Sequence, residues 1–473
     1  MNIHFMLLTL LKLQCITYNR VMKNIMNLFF LCLPIFALSQ EVPPQVDTRM
    51  YDIIENISAD RIQKDIEKLV SFGTRHTLSD TISKTRGIGA ARRWIKSEFE
   101  QISKDCAGCL EVSFHKGLVK AEDSRRIPVD TWIVNTMAIK RGSVYPNRYI
   151  IMSGDIDSRV SDPLDGTSDS PGANDNASGM AGVIEAARVL SKYDFPTSII
   201  FLGLSGEEQG LFGGKLLAAD MKEDGWDIVG IINNDMIGNI KGIDGVVDNT
   251  SFRVFSEPIP PNPNEQALIW NRFYGGEVDG PSRQLARYID QMTDRYMTNL
   301  DAVMIYRLDR FGRGGHHRPF NDVGFAGVRI METHENYDMQ HQDIRVEDGV
   351  AYGDVIEGVN FDYAAKLTSV NAICLAGIAW APKPPELVMI GGAVKPSTRL
   401  KWDPVDDPNI VGYKVYWRNT TSAQWEYSRW VGMETDVTLK NIVIDNYLFG
   451  VVSVGKDGNE SLVVYPKTLI PRR

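Results

Sequence analysis

The residues of this chain that can do chemistry come in short acidic clusters. Asp155 and Asp157 follow an apolar run at 149–153. Asp175 sits between Asn174 and Asn176, and Glu207 and Glu208 follow a second apolar run at 198–204. Asp235 follows a third run at 228–233, and His341 lies in the polar stretch NYDMQHQD. Taken singly, each is what a capped strand end or a solvated loop looks like. Gathered at one edge of a sheet, they would crowd carboxylates around a histidine, and carboxylates so crowded repel unless a cation holds them. Oxygen and imidazole donors suit zinc, with manganese or another hard divalent ion as the alternative.

The elements that must position these side chains can be read from the pattern between them. The runs 149–153, 198–204, 228–233 and 324–332 have strand length, and 179–190 and 210–221 have helical patterns. Strands alternating with helices predict an α/β fold: a doubly wound, mostly parallel sheet with helices on both faces. Open sheets of that kind carry their sites just beyond the strand ends, where the acidic clusters fall. Ser205 and Gly206 allow the chain to turn sharply before Glu207. Upstream, 51–78 reads as a helix with Ser58 as N-cap and Ile62, Ile66 and Val70 on its apolar side. A second amphipathic helix is predicted over 87–102, and a strand over 132–140.

The stretches SGDIDSR, SPGANDNASG, GLSGEEQGLFG, INNDMIGN and ENYDMQHQD occur in that order within residues 55–378. Together they resemble the co-catalytic zinc aminopeptidases, the group that includes bacterial leucyl aminopeptidases and the glutamate carboxypeptidases. The resemblance implies a zinc-exopeptidase fold in which Asp175 bridges two metals, with a non-proline cis bond before Asn176. It implies that Glu208 and His341 complete one metal site and that Asp235 belongs to the second. Glu207 becomes the general base that takes a proton from the attacking water. That split has a physical reason, since a carboxylate committed to a metal cannot also transfer protons and a free neighbour is needed.

The chain departs from this family at two places. Asp155 stands where the family has a metal-binding histidine, which the aspartate corresponding to Asp157 would orient. Asp155 either binds the second metal through oxygen, making a harder site, or leaves that site empty. In GRGGHHRPF, His316 stands where the family often has aspartate, next to His317. Either His316 reaches toward the second metal in exchange for Asp155, or the two histidines form a solvated or substrate-facing pair. The expected cofactor is zinc: one ion held tightly by Asp175, Glu208 and His341, and a second that is weaker or a different divalent ion. Gln340 stands where some relatives have tyrosine, which alters oxyanion support.

The function this implies is a metal-dependent aminopeptidase that hydrolyses N-terminal peptide bonds of exported or extracellular peptides. Its partners are peptides with a free N-terminus. Two alternatives remain. A single-zinc enzyme like the glutaminyl cyclases needs only the Asp175, Glu208 and His341 set. A non-catalytic binding protein would carry a degenerate metal site.

The rest of the chain bounds this reading. The net charge is -9 with no long basic run, which excludes a nucleic-acid partner. An apolar run at 26–38 follows Lys23 and ends in Ala37, Leu38 and Ser39, which predicts a signal peptide cleaved near Ser39. Residues 1–39 are thus a leader, the protein is periplasmic or secreted, and the mature chain has no stable membrane span. Cys15 and Cys32 leave with the leader. Cys106 and Cys109 predict a local disulfide in an oxidising compartment, and Cys374 a core residue. Residues 40–380 form the peptidase-like domain, and 381–385 a proline-containing linker. Beyond it, 386–473 alternates apolar and polar residues, as at Leu400 and Trp402 and at Val411, Tyr413, Val415 and Trp417. With DDPNIVGYKVYWR, YLFGVVSVGKDGNES and Tyr447 in a tyrosine-corner-like place, this segment resembles a fibronectin type III domain. That resemblance implies an all-β immunoglobulin-like sandwich.

Overall fold

The alternation of apolar residues along the strands sets the layers. Helices α1 (Arg49–Asn56), α2 (Ala59–Val70) and α3 (Gly87–Asp105) lead into β1 (Leu110–Val119), β2 (Thr131–Lys140) and β3 (Tyr145–Asp155). Then come α4 (Gly179–Leu190), β4 (Thr197–Leu204), α5 (Phe212–Glu223), β5 (Asp227–Asn234) and β6 (Ser251–Ser256). They are followed by α6 (Glu265–Tyr274), α7 (Pro281–Tyr296), β7 (Asp301–Ile305), α8 (His317–Asp322) and β8 (Gly327–Glu332). A short hairpin, β9 (Arg345–Glu347) and β10 (Val350–Tyr352), precedes α9 (Phe361–Trp380). On β3, β4 and β5, Ile150, Met152, Ile199, Phe201 and Ile232 pack with residues of α4 and α9. Their neighbours Ile151, Ile200, Leu202 and Ile231 pack instead with Leu217, Ala218 and Met221 of α5 and with Phe320 of α8. Successive side chains of a strand point to opposite faces, so helices cover both faces of the sheet.

The structure, a computed structural model, describes residues 42–261 and 263–471. The signal segment and its cleavage near Ser39 lie outside the described residues, as do Cys15 and Cys32. Pro43–Arg473 forms one compact unit. Its main sheet has eight strands in the order β1-β2-β4-β3-β5-β8-β6-β7. The inner strands β4, β3, β5 and β8 are parallel, as expected. β6 and β7 also pair parallel, so four of the seven pairings are parallel, while β1–β2, β2–β4 and β6–β8 pair antiparallel at the flanks. The link between β1 and β2 is too short for a crossover helix, and only antiparallel strands can be joined that way.

The helix expected over 51–78 is two helices. Ser58 has extended backbone, and its side chain accepts from Arg61 N–H, so it caps α2 and ends α1 together. Its own N–H donates to Glu185 at 2.9 Å. α2 stops at Val70. Cys106 and Cys109 are disulfide-bonded, and Cys374 is buried in α9.

Beyond α9 lie β11 (Glu386–Gly391), β12 (Thr398–Asp403), β13 (Ile410–Asn419), β14 (Tyr427–Gly432), β15 (Asp436–Leu439), β16 (Tyr447–Gly455) and β17 (Thr468–Leu469). They make a four-stranded sheet, β15-β12-β11-β17, and a three-stranded sheet, β14-β13-β16. Pairing is mixed, because β11 runs parallel to β17. Val388, Ile390, Leu400 and Trp402 from one sheet meet Tyr413, Val415, Phe449 and Val451 from the other. The hydroxyl that ties to a neighbouring turn belongs to Tyr413, which accepts from Val405 N–H at 2.7 Å. Tyr447 stacks edge-on against Tyr427 and Phe449.

This β-rich unit is fastened to the α/β unit. Trp270 of α6 joins its apolar core. Asp279 accepts from Arg287 at 2.8 Å and from Arg418 of β13 at 2.7 Å, with all three side chains no more than 1% exposed. Arg287 also donates to Ala423 O at 2.6 Å. The segment just before α1 is held too: Asn459 donates to Asp47 at 2.9 Å, and Arg49 pairs with Asp457 at 2.9 Å. The 381–385 stretch is therefore no free linker; Ala381 is buried and Lys383 N–H donates to Asp407.

Candidate metal centre and active site

Each acidic cluster stands where a parallel strand runs out. β3 ends at Asp155, and β5 ends one residue before Asp235. After β4 the chain turns through Gly206, whose φ of +75° is a conformation glycine adopts without a Cβ penalty. Glu207 and Glu208 follow. Asp157 fixes that turn by accepting from Glu207 N–H and Glu208 N–H, each at 3.1 Å, and from the Thr77 hydroxyl at 3.1 Å. With Asp155 in place of the histidine that the family's aspartate would orient, the two oxygens of Asp157 are spent on the glutamate pair. Asp175 lies in the irregular turn Ala173–Ser178, and the Asp175–Asn176 bond is cis. Asp354 holds this turn by accepting from Asn174 N–H at 2.8 Å and Asp175 N–H at 2.7 Å. Beneath it, the fully buried Arg75 donates to carbonyls of Ile156 and Gly172.

Asp175, Glu208 and His341 converge. His341 Nε2 is 3.0 Å from Asp175 Oδ2 and 2.9 Å from Glu208 Oε1. Zinc ligands at about 2.0–2.1 Å in tetrahedral array stand roughly 3.3 Å apart, so the three donors need open only slightly to take an ion. Of the groups of three or more metal-ligating side chains, this is the one found among the described residues. Two donors steady it from outside. Arg159 donates Nε–H to Glu208 Oε2 at 2.9 Å, and its Nη2 lies 2.7 Å from His341 Nδ1. Gln340 donates to Asp175 Oδ2 at 3.1 Å. Without a metal, burial alone would lower the His341 pKa, but the charges of Glu208 and Asp175 overrule it and hold it at about 9. Burial likewise opposes ionisation of Asp175, yet the His341 and Gln340 hydrogen bonds keep its carboxyl well below the usual range.

Glu207 differs from its neighbour. Burial, then the charges of Glu208, Asp235, Asp155 and Asp175, push its carboxyl well above the ordinary glutamate value. A carboxylate raised in this way is a stronger proton acceptor than an ordinary glutamate.

The other half of the constellation takes a different form. Asp155 is buried; its Oδ2 accepts from Asn176 Nδ2 at 2.8 Å and its Oδ1 lies 2.5 Å from His316 Nδ1. Burial pushes Asp155 up to about 8 and His316 down to about 4. His316 and His317 are both 0% exposed, which overturns the solvated or substrate-facing pair. His317 Nε2 contacts Leu308 O at 2.7 Å. Asp235 Oδ2 is 2.9 Å from Arg329 Nη2, and Arg329 is itself 0% exposed on β8.

Three basic residues that shape the site were not singled out from the sequence. Arg159 lay inside the SGDIDSR motif. Arg329 carried a visible signal, a charge in the middle of an apolar strand-length run. Arg310, which donates to Glu335 at 2.7 Å near Met236, carried none.

The sequence model of Peptidase family M28 matches residues 135–349, the span holding every one of these residues except the buried supports Arg75, Thr77 and Asp354. A protein named "Probable zinc metalloprotease" from Leptosphaeria maculans is 42% identical over 427 residues, covering 90% of this chain and 98% of the relative. One of the same name from Pyrenophora tritici-repentis is 40% identical, covering 90% and 88%. The chain belongs to Peptidase family M28. In fold it also matches the LapA aminopeptidase of Legionella pneumophila, with a TM-score of 0.51 at 18% identity, covering 73% of this chain and 76% of that one. LapB of the same organism gives a TM-score of 0.51 at 16% identity, covering 70% and 76%. The M28 match ends before α9 and leaves the two C-terminal sheets outside it.

Proposed function

We propose that this M28 chain is a zinc-dependent aminopeptidase that removes N-terminal residues from exported or extracellular peptides. The observation that carries the reading is the convergence of Asp175, Glu208 and His341 beside Glu207, whose carboxyl is raised above the ordinary range by burial and its acidic neighbours. Asp175, Glu208 and His341 would hold the metal, whose chemistry is Lewis-acid polarisation of the scissile carbonyl and activation of water. Glu207 takes the proton from the attacking water and delivers it to the leaving amine. Arg159 and Gln340 keep the ligand atoms aimed at one point. Asp157 keeps Glu207 and Glu208 in register with each other.

The test is product analysis on the metal-loaded protein with an unblocked peptide and its N-acetylated twin. Release of the first amino acid from the unblocked peptide alone, abolished by chelation, is expected. A second reading rests on the same three-residue set, which is also sufficient for a single-zinc glutaminyl cyclase. Ammonia released from an N-terminal glutamine, with no free amino acid, would replace the first reading by the second. If the protein takes up no metal and acts on neither substrate, a binding role is left.

The apolar run at 26–38 supports export, and N-terminal sequencing of the native protein should begin near Gln40. The Cys106–Cys109 disulfide suits that destination. No helix of the described residues is long and apolar enough to cross a membrane. We read residues 40–380 as the catalytic domain, 381–385 as the joint and 386–473 as a fibronectin type III-like module. The division into four- and three-stranded sheets around Trp402 and Tyr413 supports that last assignment.

A further inference from the structure

An M28 site with two metals needs two sets of free donor atoms, and the second set is already taken by protein cations and donors. Asp235, the expected ligand of the second metal, faces the guanidinium of Arg329 at 2.9 Å. That guanidinium is fixed from behind, since Nη1 lies 3.2 Å from Asp309 and donates to Gly314 O at 2.9 Å. Gly315 makes room for it: a Cβ there would come within 3.4 Å of Arg329 Cδ and 3.1 Å of Asn233 Oδ1. Arg329 therefore has packing on one side, a carboxylate partner on the other, and no exposed surface into which to swing. Asp155, the other expected ligand, is closed off as well, with one oxygen on Asn176 and the other on His316. His316 has its Nδ1 committed to Asp155, and the ring's Cδ2 edge lies against Gly214 of α5.

We propose that Arg329 stands in place of the second metal, so that this M28 chain is a one-metal enzyme with a permanent internal cation beside Asp235. A guanidinium and a divalent ion cannot share one buried carboxylate without strong repulsion, so the arginine excludes the ion as well as replacing its charge. The Asp155–His316 pair completes the change by filling the volume and the hydrogen bonds that a histidine ligand and its metal would use. The first set, Asp175, Glu208 and His341, is untouched by these contacts and keeps its donors turned toward one another. The inference rests on the metallopeptidase reading above and narrows it.

The experiment counts metal. The mature protein, stripped and then titrated with zinc, is analysed by native mass spectrometry and elemental analysis, with manganese in a parallel series. One zinc per chain is expected, with no second ion of either kind at tenfold excess. Asp235→Asn should leave that count and affinity unchanged, whereas in a two-metal site it would lose one ion. Arg329→Met combined with Asp155→His, which removes the charge and supplies a nitrogen donor in place of the occupied carboxylate, should admit a second ion. Should that variant fail to fold, the wild-type count and Asp235→Asn still decide. Two tight ions in the wild type would overturn the inference and leave the peptidase reading standing. No tight ion would overturn both, and cleavage assays would show it independently.

Discussion

Glu207 and Glu208 are adjacent in sequence and share one turn, yet their surroundings assign them different work. Glu208 is drawn to His341 and Arg159, while Glu207 is left among other carboxylates, whose charges together with burial raise its pKa. Glu207→Gln should therefore retain zinc at wild-type affinity while kcat falls by about 10²- to 10⁴-fold, as removal of a positioned general base does. Zinc loss in that variant would place Glu207 among the ligands. His341 gives a pH test. In the stripped protein its pKa is held at about 9, above the ordinary histidine value of 6.5. A raised histidine contributes stability that is full below 6.5 and lost as the pH climbs through 9. The stripped protein should therefore lose stability across pH 6.5–9, as thermal melts would show. Zinc must displace the same proton, so its affinity should rise by about tenfold per pH unit over that range and level off near 9. Zinc affinity flat from pH 6.5 to 9 would contradict the assignment of His341 as a ligand. The ligand set was legible because Asp175, Glu208 and His341 each lie in one of the short motifs that carry the family resemblance. Arg329 was not assigned, because its partner Asp235 is far off along the chain and only the pairing of β5 with β8 brings them together.

The elements that carry the site are the four parallel strands, and these were also the most readable. Their apolar runs are buried on both faces, so sequence and burial coincide, and α4 falls at the predicted 179–190. The expected helix over 51–78 failed at Ser58, since a residue that starts one helix in extended backbone necessarily ends the one before it. β1 was missed because its exposed side alternates with polar residues such as His115 and Lys116. α6 gave no amphipathic signal, because Trp270 alone of its side chains is buried while Leu268, Ile269, Phe273 and Tyr274 are exposed. The turn after β4 depends on Asp157, whose two oxygens each take one glutamate N–H. Asparagine offers only one such oxygen and would set its amide against the other N–H. Asp157→Asn should weaken zinc binding by about 10- to 100-fold, as loss of outer support to a metal site typically does. An unchanged zinc titration would show that the turn holds without it.

At the scale of the molecule, the two C-terminal sheets are more than an appendage. Asp279 lies between Arg287 and Arg418, all three out of solvent, and Trp270 is buried in the far core. Asp279→Ala would leave two buried guanidinium groups facing each other, which should cost about 3–5 kcal/mol in denaturant melts. Deleting everything after 380 would uncover Trp270 and leave Asp279 with one partner. That truncated protein should melt at a lower temperature than the full chain and aggregate on concentration; a stable, fully active fragment would show that the interface contributes little. The proline-containing joint suggested independence from composition alone. Interface area depends on which side chains meet across it, and Asp279 and Arg418 are too far apart in sequence for their pairing to be read.

The contacts of Asp47 and Arg49 bear on when the molecule can finish folding. Asp47 accepts from Asn459 across a separation of 412 residues, and Arg49 reaches Asp457 across 408. Those bonds close almost the whole chain into a loop. Asp47 N–H also reaches Tyr296 at 2.9 Å and Met50 packs in the α/β core, so the segment leading into α1 docks early but completes its contacts only when the last β-rich unit has been made. Contacts of such range slow folding and lengthen the time a partly folded chain is exposed. Synthesis order and the order in which contacts are completed are thus opposed at Asp47 and Arg49.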